Sequence, residues 1–270
     1  MMTEKVAATP AERPDPVTVP QNFSLPTSAQ AYPAPVADTA EGDNPSREAT
    51  SPYGDPWTTK FYPEGTAAFE RVVLFSDGVF AISLTLMAAA VTVPVLRDSA
   101  TPSEMFSALV DKQGPLFAFL LTATWVALYW KANHRFVTTL RGMSSHYITA
   151  TLVYLVMIAL LPFPTGTLGE HWNPVAVAFF LLYLAMVSAM ETVLIGVAIK
   201  DDLYVRTLTR QERKRSVYSS LSPVAAGIIA APIAFLPIGE TPAMVLSLVT
   251  MSVVAVTLGA VVRRRYPVTL

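Results

Sequence analysis

From about residue 72 onward the chain is a succession of long apolar runs, and this constrains its fold more than any other feature. A hydrocarbon layer about 30 Å thick is crossed by a helix of about 20 apolar residues. Six segments meet that length: roughly Val72–Val95, Pro115–Leu140, Tyr147–Leu161 (running into Pro162-Phe163-Pro164), Pro174–Ile199, Val217–Leu236 and Pro242–Val262. The expected fold class is therefore all-α, an integral membrane protein with six transmembrane helices. Prolines 115, 174 and 242 stand at the starts of three runs. A first-turn proline is tolerated because its missing N–H would be unpaired there anyway. A stretch near Ser103 to Asp111 reads as a short amphipathic helix outside the membrane.

The 270 residues are 52% hydrophobic and only 14% charged, too little charge to cover a soluble globule. Cysteine is absent, which excludes disulfide scaffolds, thiolate metal sites and cysteine nucleophiles.

The net charge of −1 hides two unlike parts. Residues 1–65 hold 11 of the 22 prolines, with nine acids and four bases, a net of −5. The remaining 205 residues hold 15 bases and 11 acids, a net of +4. The first part is rich in Pro, Ala, Thr and Ser and has no sustained apolar run, so it is expected to be a disordered acidic tail. It carries no basic stretch followed by an apolar one, as a secretory signal would.

Lys and Arg set the orientation. Lys200, Arg206, Arg210, Arg213, Lys214 and Arg215 fill the loop between the fourth and fifth runs, and Arg263, Arg264 and Arg265 follow the sixth. Arg135 and Arg141 lie between the second and third. The opposite loops carry only Arg97 and Lys112. The positive-inside rule then places both termini in the cytoplasm of a multi-pass protein in the cell membrane. On this reading the bases report orientation rather than an anionic partner such as nucleic acid.

Ionisable groups within spans are costly and are candidates for function. Asp77 stands near the start of the first run, where it fits a helix-dipole role or pairing with Arg71, His134 or Arg135. Glu191 falls about 25 Å along the fourth helix if that helix starts at Pro174, so it reads as a carboxylate snorkelling to the interface or facing Lys200. Ser76, Ser83, Thr85 and Thr92 add hydroxyls to the first run. No nucleophile–base set, HExxH, phosphate loop or dinucleotide fingerprint is present, so neither an enzyme nor a cofactor is expected. His134, His146 and His171 fall on two different sides of the membrane, which disfavours a shared metal.

In the first run Ile82, Thr85, Leu86, Ala89 and Val93 share one helix face. An apolar stripe of this kind serves as a packing surface or as a pore lining. Periodicity leaves both open.

Arg71, Phe75, Ser76 and Asp77, followed by Gly78-Val79-Phe80-Ala81-Ile82, resemble the first helix of the transmembrane protein 175 potassium channels. Trp130, His134, Arg135 and Phe136, and the Leu160-Leu161-Pro162-Phe163-Pro164-Thr165 sequence, are similar to two further stretches of that family in the same order. Asn133 stands where the family has a histidine, and it cannot be charged.

The resemblance implies six helices per repeat and, for a single repeat, a homotetramer passing potassium ions through a pore lined by the first helix of each subunit. It places the apolar constriction at Ile82, a hydroxyl layer that aids selection at Thr85, and further pore-facing layers at Leu86 and Ala89. Arg71, Phe75, Ser76, Asp77 and His134 then form a network that holds the first helix in register. Rival expectations are proton or proton-coupled transport through Asp77, Glu191 and His134, and a non-conducting membrane scaffold whose acidic tail recruits partners.

Overall fold

The structure is a computed structural model and describes residues 60–267. Most of the expected tail lies outside the described residues, but its last six do not. Phe61–Pro63 form strand β1, antiparallel to β2 (Gly142–Ser144), with Phe61 opposite Ser144 and Pro63 opposite Gly142. The structured part therefore begins before residue 65, because backbone pairing with a distant loop orders a segment that is too short and too polar to be apolar-patterned. A Cβ on Gly142 would sit 2.5 Å from the Phe61 ring and 2.6 Å from the Tyr62 carbonyl oxygen, so only glycine lets the two strands close.

Eight α-helices follow. Thr66 caps α1 (Ala67–Ala90), its hydroxyl accepting from the Phe69 N–H. Thr101 and Glu104 form a capping box on α2 (Pro102–Val110), the short exposed helix expected near Ser103 to Asp111. The rest are α3 (Gln113–Val137), α4 (Ser145–Ala159), α5 (Pro162–Glu170), α6 (Pro174–Lys200), α7 (Arg210–Ala230) and α8 (Glu240–Arg265). A 3-10 turn, Ala231–Phe235, extends α7. Six spans result: α1, α3, α4 with α5, α6, α7 with its 3-10 turn, and α8.

Three spans differ from their expected bounds by several residues. The first runs over Ala67–Ala90 rather than Val72–Val95, so Val93 falls in the irregular chain after it. The third does not stop at Leu161. Leu160 and Leu161 keep right-handed helical dihedrals and α5 carries the span on to Glu170. Pro162 has no N–H to give the Ile158 carbonyl, four residues earlier. That carbonyl instead accepts the buried Ser83 hydroxyl of α1 at 2.9 Å, together with the Leu161 N–H at 3.1 Å. Freed backbone acceptors in spans are met in this way by serine and threonine on neighbouring helices. The fifth span starts at Arg210 rather than Val217. A capping box between Thr209 and Glu212 nucleates it, and Arg206 clamps Glu212 at 2.6 Å.

Helices in lipid are joined by close approach and interhelical hydrogen bonds. The Tyr129 hydroxyl of α3 donates to the Leu184 carbonyl of α6 at 2.9 Å and lies 2.9 Å from the Ser188 hydroxyl. Tyr183 of α6 donates to the Met157 carbonyl of α4, and Ser247 of α8 to the Ala230 carbonyl of α7. At Gly227 the backbones of α6 and α7 meet so closely that a Cβ would fall 2.7 Å from the Ala185 Cβ.

Candidate functional site

The site is built on α1, and its two faces have different fates. Phe69, Ser76, Phe80, Ser83 and Met87 recur at helical spacing and are buried against the rest of the chain. Phe80 stacks at a tilt on Tyr154 of α4, and Met87 accepts a weak contact from the Thr165 hydroxyl of α5. At about 100° per residue, the stripe of Ile82, Thr85, Leu86 and Ala89 is centred about 140° away, whereas Val93, expected on the same face, lies beyond the end of α1 at Ala90. Every member of that stripe is exposed, Ile82 at 58% and Leu86 at 52%. The stripe is therefore not a packing surface among the described residues.

The Thr85 hydroxyl donates to the Ile82 carbonyl of its own helix at 2.9 Å. Its hydrogen is thereby turned into the helix, and the oxygen's two lone pairs are what it can present to a cation.

The motif residues at the start of α1 are only partly brought together. Asp77 accepts a 2.9 Å hydrogen bond from the Trp130 indole N–H of α3. His134, one turn further along α3, stacks on the Trp130 ring with centroids 5.3 Å apart. Trp130 thus links Asp77 to His134, which do not pair directly. The buried Ser76 hydroxyl donates to the Val72 carbonyl of α1 and so acts within its own helix. Arg71 and Phe75 are exposed. Among the described residues the ion pairs are Arg141–Asp202, His146–Asp201 and Arg206–Glu212, none of which includes Arg71 or Asp77. The ion pairing expected of Asp77 is replaced by an indole donor, because α3 presents Trp130 rather than a cation at that depth. Asn133 is buried on α3.

Trp130 was legible as part of a motif but not as the partner of Asp77. That needed the relative rotation of α1 and α3. A collar at the basic end of the bundle was not legible at all. There Arg141 donates its N–H to the Asp202 carbonyl, Ser144 donates to the Asp201 carboxylate, and Leu140 bridges to Tyr204. With β1–β2, these contacts tie the entry to α1 to the α3–α4 and α6–α7 loops.

Residues 71–162 match the family model described as the endosomal/lysosomal potassium channel TMEM175. Over that segment the chain is similar to the TMEM175 family. It is 29% identical over 101 residues to a protein of Chamaesiphon minutus named a potassium channel, a match covering 37% of this chain and 49% of that one. It is 27% identical over 131 residues to a protein of a Chryseobacterium species with the same description, covering 48% of this chain and 65% of the relative. The chain thus spans about half to just under two thirds of the length of these relatives. The crystal structure of a lysosomal potassium-selective channel TMEM175 homologue from Chamaesiphon minutus superposes with a TM-score of 0.59 at 20% identity, over 72% of this chain and 99% of that one. At that identity the likeness is one of fold.

The TMEM175 segment runs from Arg71 of α1 to the first residue of α5. It holds the exposed stripe, the Asp77–Trp130–His134 linkage and Ser83, the contact of α1 with α4. Glu191 lies outside it. Rather than reaching Lys200, Glu191 lines a cavity between α3, α6, α7 and α8 together with Tyr129 and Arg135. The α6 face that carries it turns inward because Ser188, one turn before it, packs on Tyr129.

Proposed function

We propose that this chain is one subunit of a passive potassium channel in which four copies place α1 around a common axis. One observation carries the reading: the face of α1 opposite its packed face is long, apolar but for one hydroxyl, and uncovered by the other described residues. The TMEM175 segment and the channel names of the relatives support it. A ring of Ile82 side chains forms the constriction and resists ion passage by dewetting. Thr85 lies about 4.5 Å further along the axis, and its hydroxyl oxygen helps replace the hydration of an entering cation. Leu86 and Ala89 line the next layers, with the small Ala89 widening the path. Asp77 and His134, through Trp130, fix the rotation of α1 so that this face meets the axis, while Ser76 bonds within α1 and Phe75 is left for contact with a neighbouring copy. Arg71 serves the same purpose from the exposed side. The protein sits in the cell membrane with its basic loops and both termini cytoplasmic, as the distribution of Lys and Arg requires.

The test is flux from liposomes holding the purified full chain. Potassium is expected to cross faster than sodium, and Ile82→Asn, which wets the constriction, to raise the rate by at least tenfold while the assembly elutes unchanged. Since the chain has no cysteine, Ala89→Cys provides a single thiol, and a charged water-soluble thiol reagent is expected to block flux in that variant only. Absence of flux from folded assemblies, or an Ala89→Cys thiol that reacts only with lipid-soluble reagents, rules the reading out.

A further inference from the structure

The cavity between α3, α6, α7 and α8 encloses about 1050 Å³, near the upper end of the range for small-molecule sites. Arg135 lies two residues before the end of α3, Arg215 in the second turn of α7, and Arg263 in the last turn of α8. All three line the cavity. The chain crosses the membrane an even number of times between these helix ends, so the three guanidiniums share one membrane side.

Their charge is not consumed within the chain. Arg206, which also lines the cavity, is held by Glu212. Arg215 reaches only the Tyr266 carbonyl, at 3.4 Å. Arg135 and Arg263 form no ion pair or side-chain hydrogen bond among the described residues. Four guanidiniums thus face two carboxylates, Glu212 and the deeper Glu191. The Tyr204 hydroxyl, on the same wall, is buried without a hydrogen-bond partner. Away from the arginines the wall is mixed, with Leu121, Leu128, Ile195 and Val256 beside Thr124, Ser252 and Glu191, and two of its apolar members, Leu128 of α3 and Val256 of α8, are more than half exposed on membrane-spanning helices. The cavity is therefore basic and polar at the membrane surface and opens toward hydrocarbon below it.

We propose that this cavity binds an anionic phospholipid, its phosphate held by Arg135, Arg215 and Arg263 and its acyl chains lying along Leu128 and Val256. Planar guanidiniums suit the oxygens of a phosphate. Basic pockets between spans on the positively charged side are the usual form of such sites. The apolar part of the wall selects a lipid over free phosphate, which gains nothing from it. Tyr204, with Ser216 and Ser219 on α7, offers hydroxyls to the ester and glycerol oxygens. Three of the bases that set orientation thus acquire an anionic ligand, and the site bridges α3, inside the TMEM175 segment, to α7 and α8 beyond it. The proposal is independent of whether the protein conducts.

Trp125 lines the cavity and reports on its contents. The full chain in neutral detergent is titrated with phosphatidylglycerol or phosphatidylcholine carrying the same brominated acyl chains, which quench tryptophan at contact. Phosphatidylglycerol is expected to quench at lower concentration, and Trp125→Phe to remove most of that quenching. Each of Arg135→Gln, Arg215→Gln and Arg263→Gln is expected to weaken binding by about fivefold, the worth of one basic residue at an anionic lipid. Arg264→Gln and Arg265→Gln remove equal charge from the same helix turn outside the cavity and leave binding unchanged. Where an arginine variant misfolds, Ser219→Trp keeps every charge, fills the space and is expected to abolish the lipid preference. Equal losses at Arg263 and Arg264, quenching that survives Trp125→Phe in full, or displacement of the lipid by inorganic phosphate would each overturn the proposal.

Discussion

The link between Ser83 and Pro162 makes a sharp prediction about what anchors α1. Pro162 deprives the Ile158 carbonyl of its helical donor, and the Ser83 hydroxyl fills that place from α1 at 2.9 Å in a fully buried setting. Ser83→Ala leaves the carbonyl with the Leu161 N–H, three residues on. A buried hydrogen bond contributes about 1 kcal/mol net, and interhelical ones in membranes average about 0.6 kcal/mol. The carbonyl keeps one donor, so Ser83→Ala is expected to cost about 1 kcal/mol. Pro162→Ala restores an N–H four residues after Ile158. In that background the carbonyl no longer needs Ser83, and Ser83→Ala is expected to cost less than about 0.5 kcal/mol, the limit of additivity for independent sites. Unfolding in mixed micelles titrated with a denaturing detergent, followed by far-UV circular dichroism, measures all four corners of the cycle. An equal cost of Ser83→Ala in both backgrounds would refute the idea that the proline creates the acceptor that holds α1.

Other outcomes follow from the same geometry. Trp130→Phe keeps the stack on His134 but removes the donor to Asp77. It is expected to destabilise by about 1 kcal/mol, with the loss absent when measured against Asp77→Ala in the same micelle titration. Gly227→Val forces a side chain into the Ala185 contact and is expected to cost about 1–3 kcal/mol or more by overpacking, read in the same way. The Ser144 hydroxyl beside Asp201, aided by His146, holds that carboxyl below the usual aspartate range. A lowered pKa in the folded state stabilises above the ordinary value and loses that contribution as pH falls through the lowered one. Wild type is therefore expected to be more stable than Asp201→Asn at neutral pH, and the gap to close as the solution is acidified below the ordinary aspartate pKa. A gap that persists at the acid end would show that charge is not its cause.

Much of the fold is legible in the residues because the bilayer is so restrictive a solvent. Length and hydropathy locate six spans, and the positions of prolines 115 and 174 mark helix starts to within a few residues. The errors have a common origin. Pro162 looks like an end because proline usually ends a helix, whereas in a bundle a neighbour's serine restores the lost bond. Arg210–Ser216 look like loop because hydropathy cannot see a polar helix, although Thr209 and Glu212 spell a capping box. Glu191 looks interfacial by counting along α6, but helix rotation decides what it faces. The cavity at α3, α6, α7 and α8 draws on residues more than a hundred positions apart, so no local pattern announces it.

The sequence by itself determined that α1 is a membrane-spanning helix and that Ile82, Thr85, Leu86 and Ala89 share a face, although it extended that face to Val93, which lies past the helix end at Ala90. It could not say what that face meets. Phe80 and Met87 on one side are as apolar as Ile82 and Leu86 on the other. In water, polarity would separate a buried face from an exposed one. In hydrocarbon that contrast vanishes, since lipid, protein core and a dewetted constriction all favour the same side chains. Only the packing of α1 against α3, α4 and α5 chose, burying Phe69, Ser76, Phe80, Ser83 and Met87 and leaving the Ile82 stripe without a partner among the described residues.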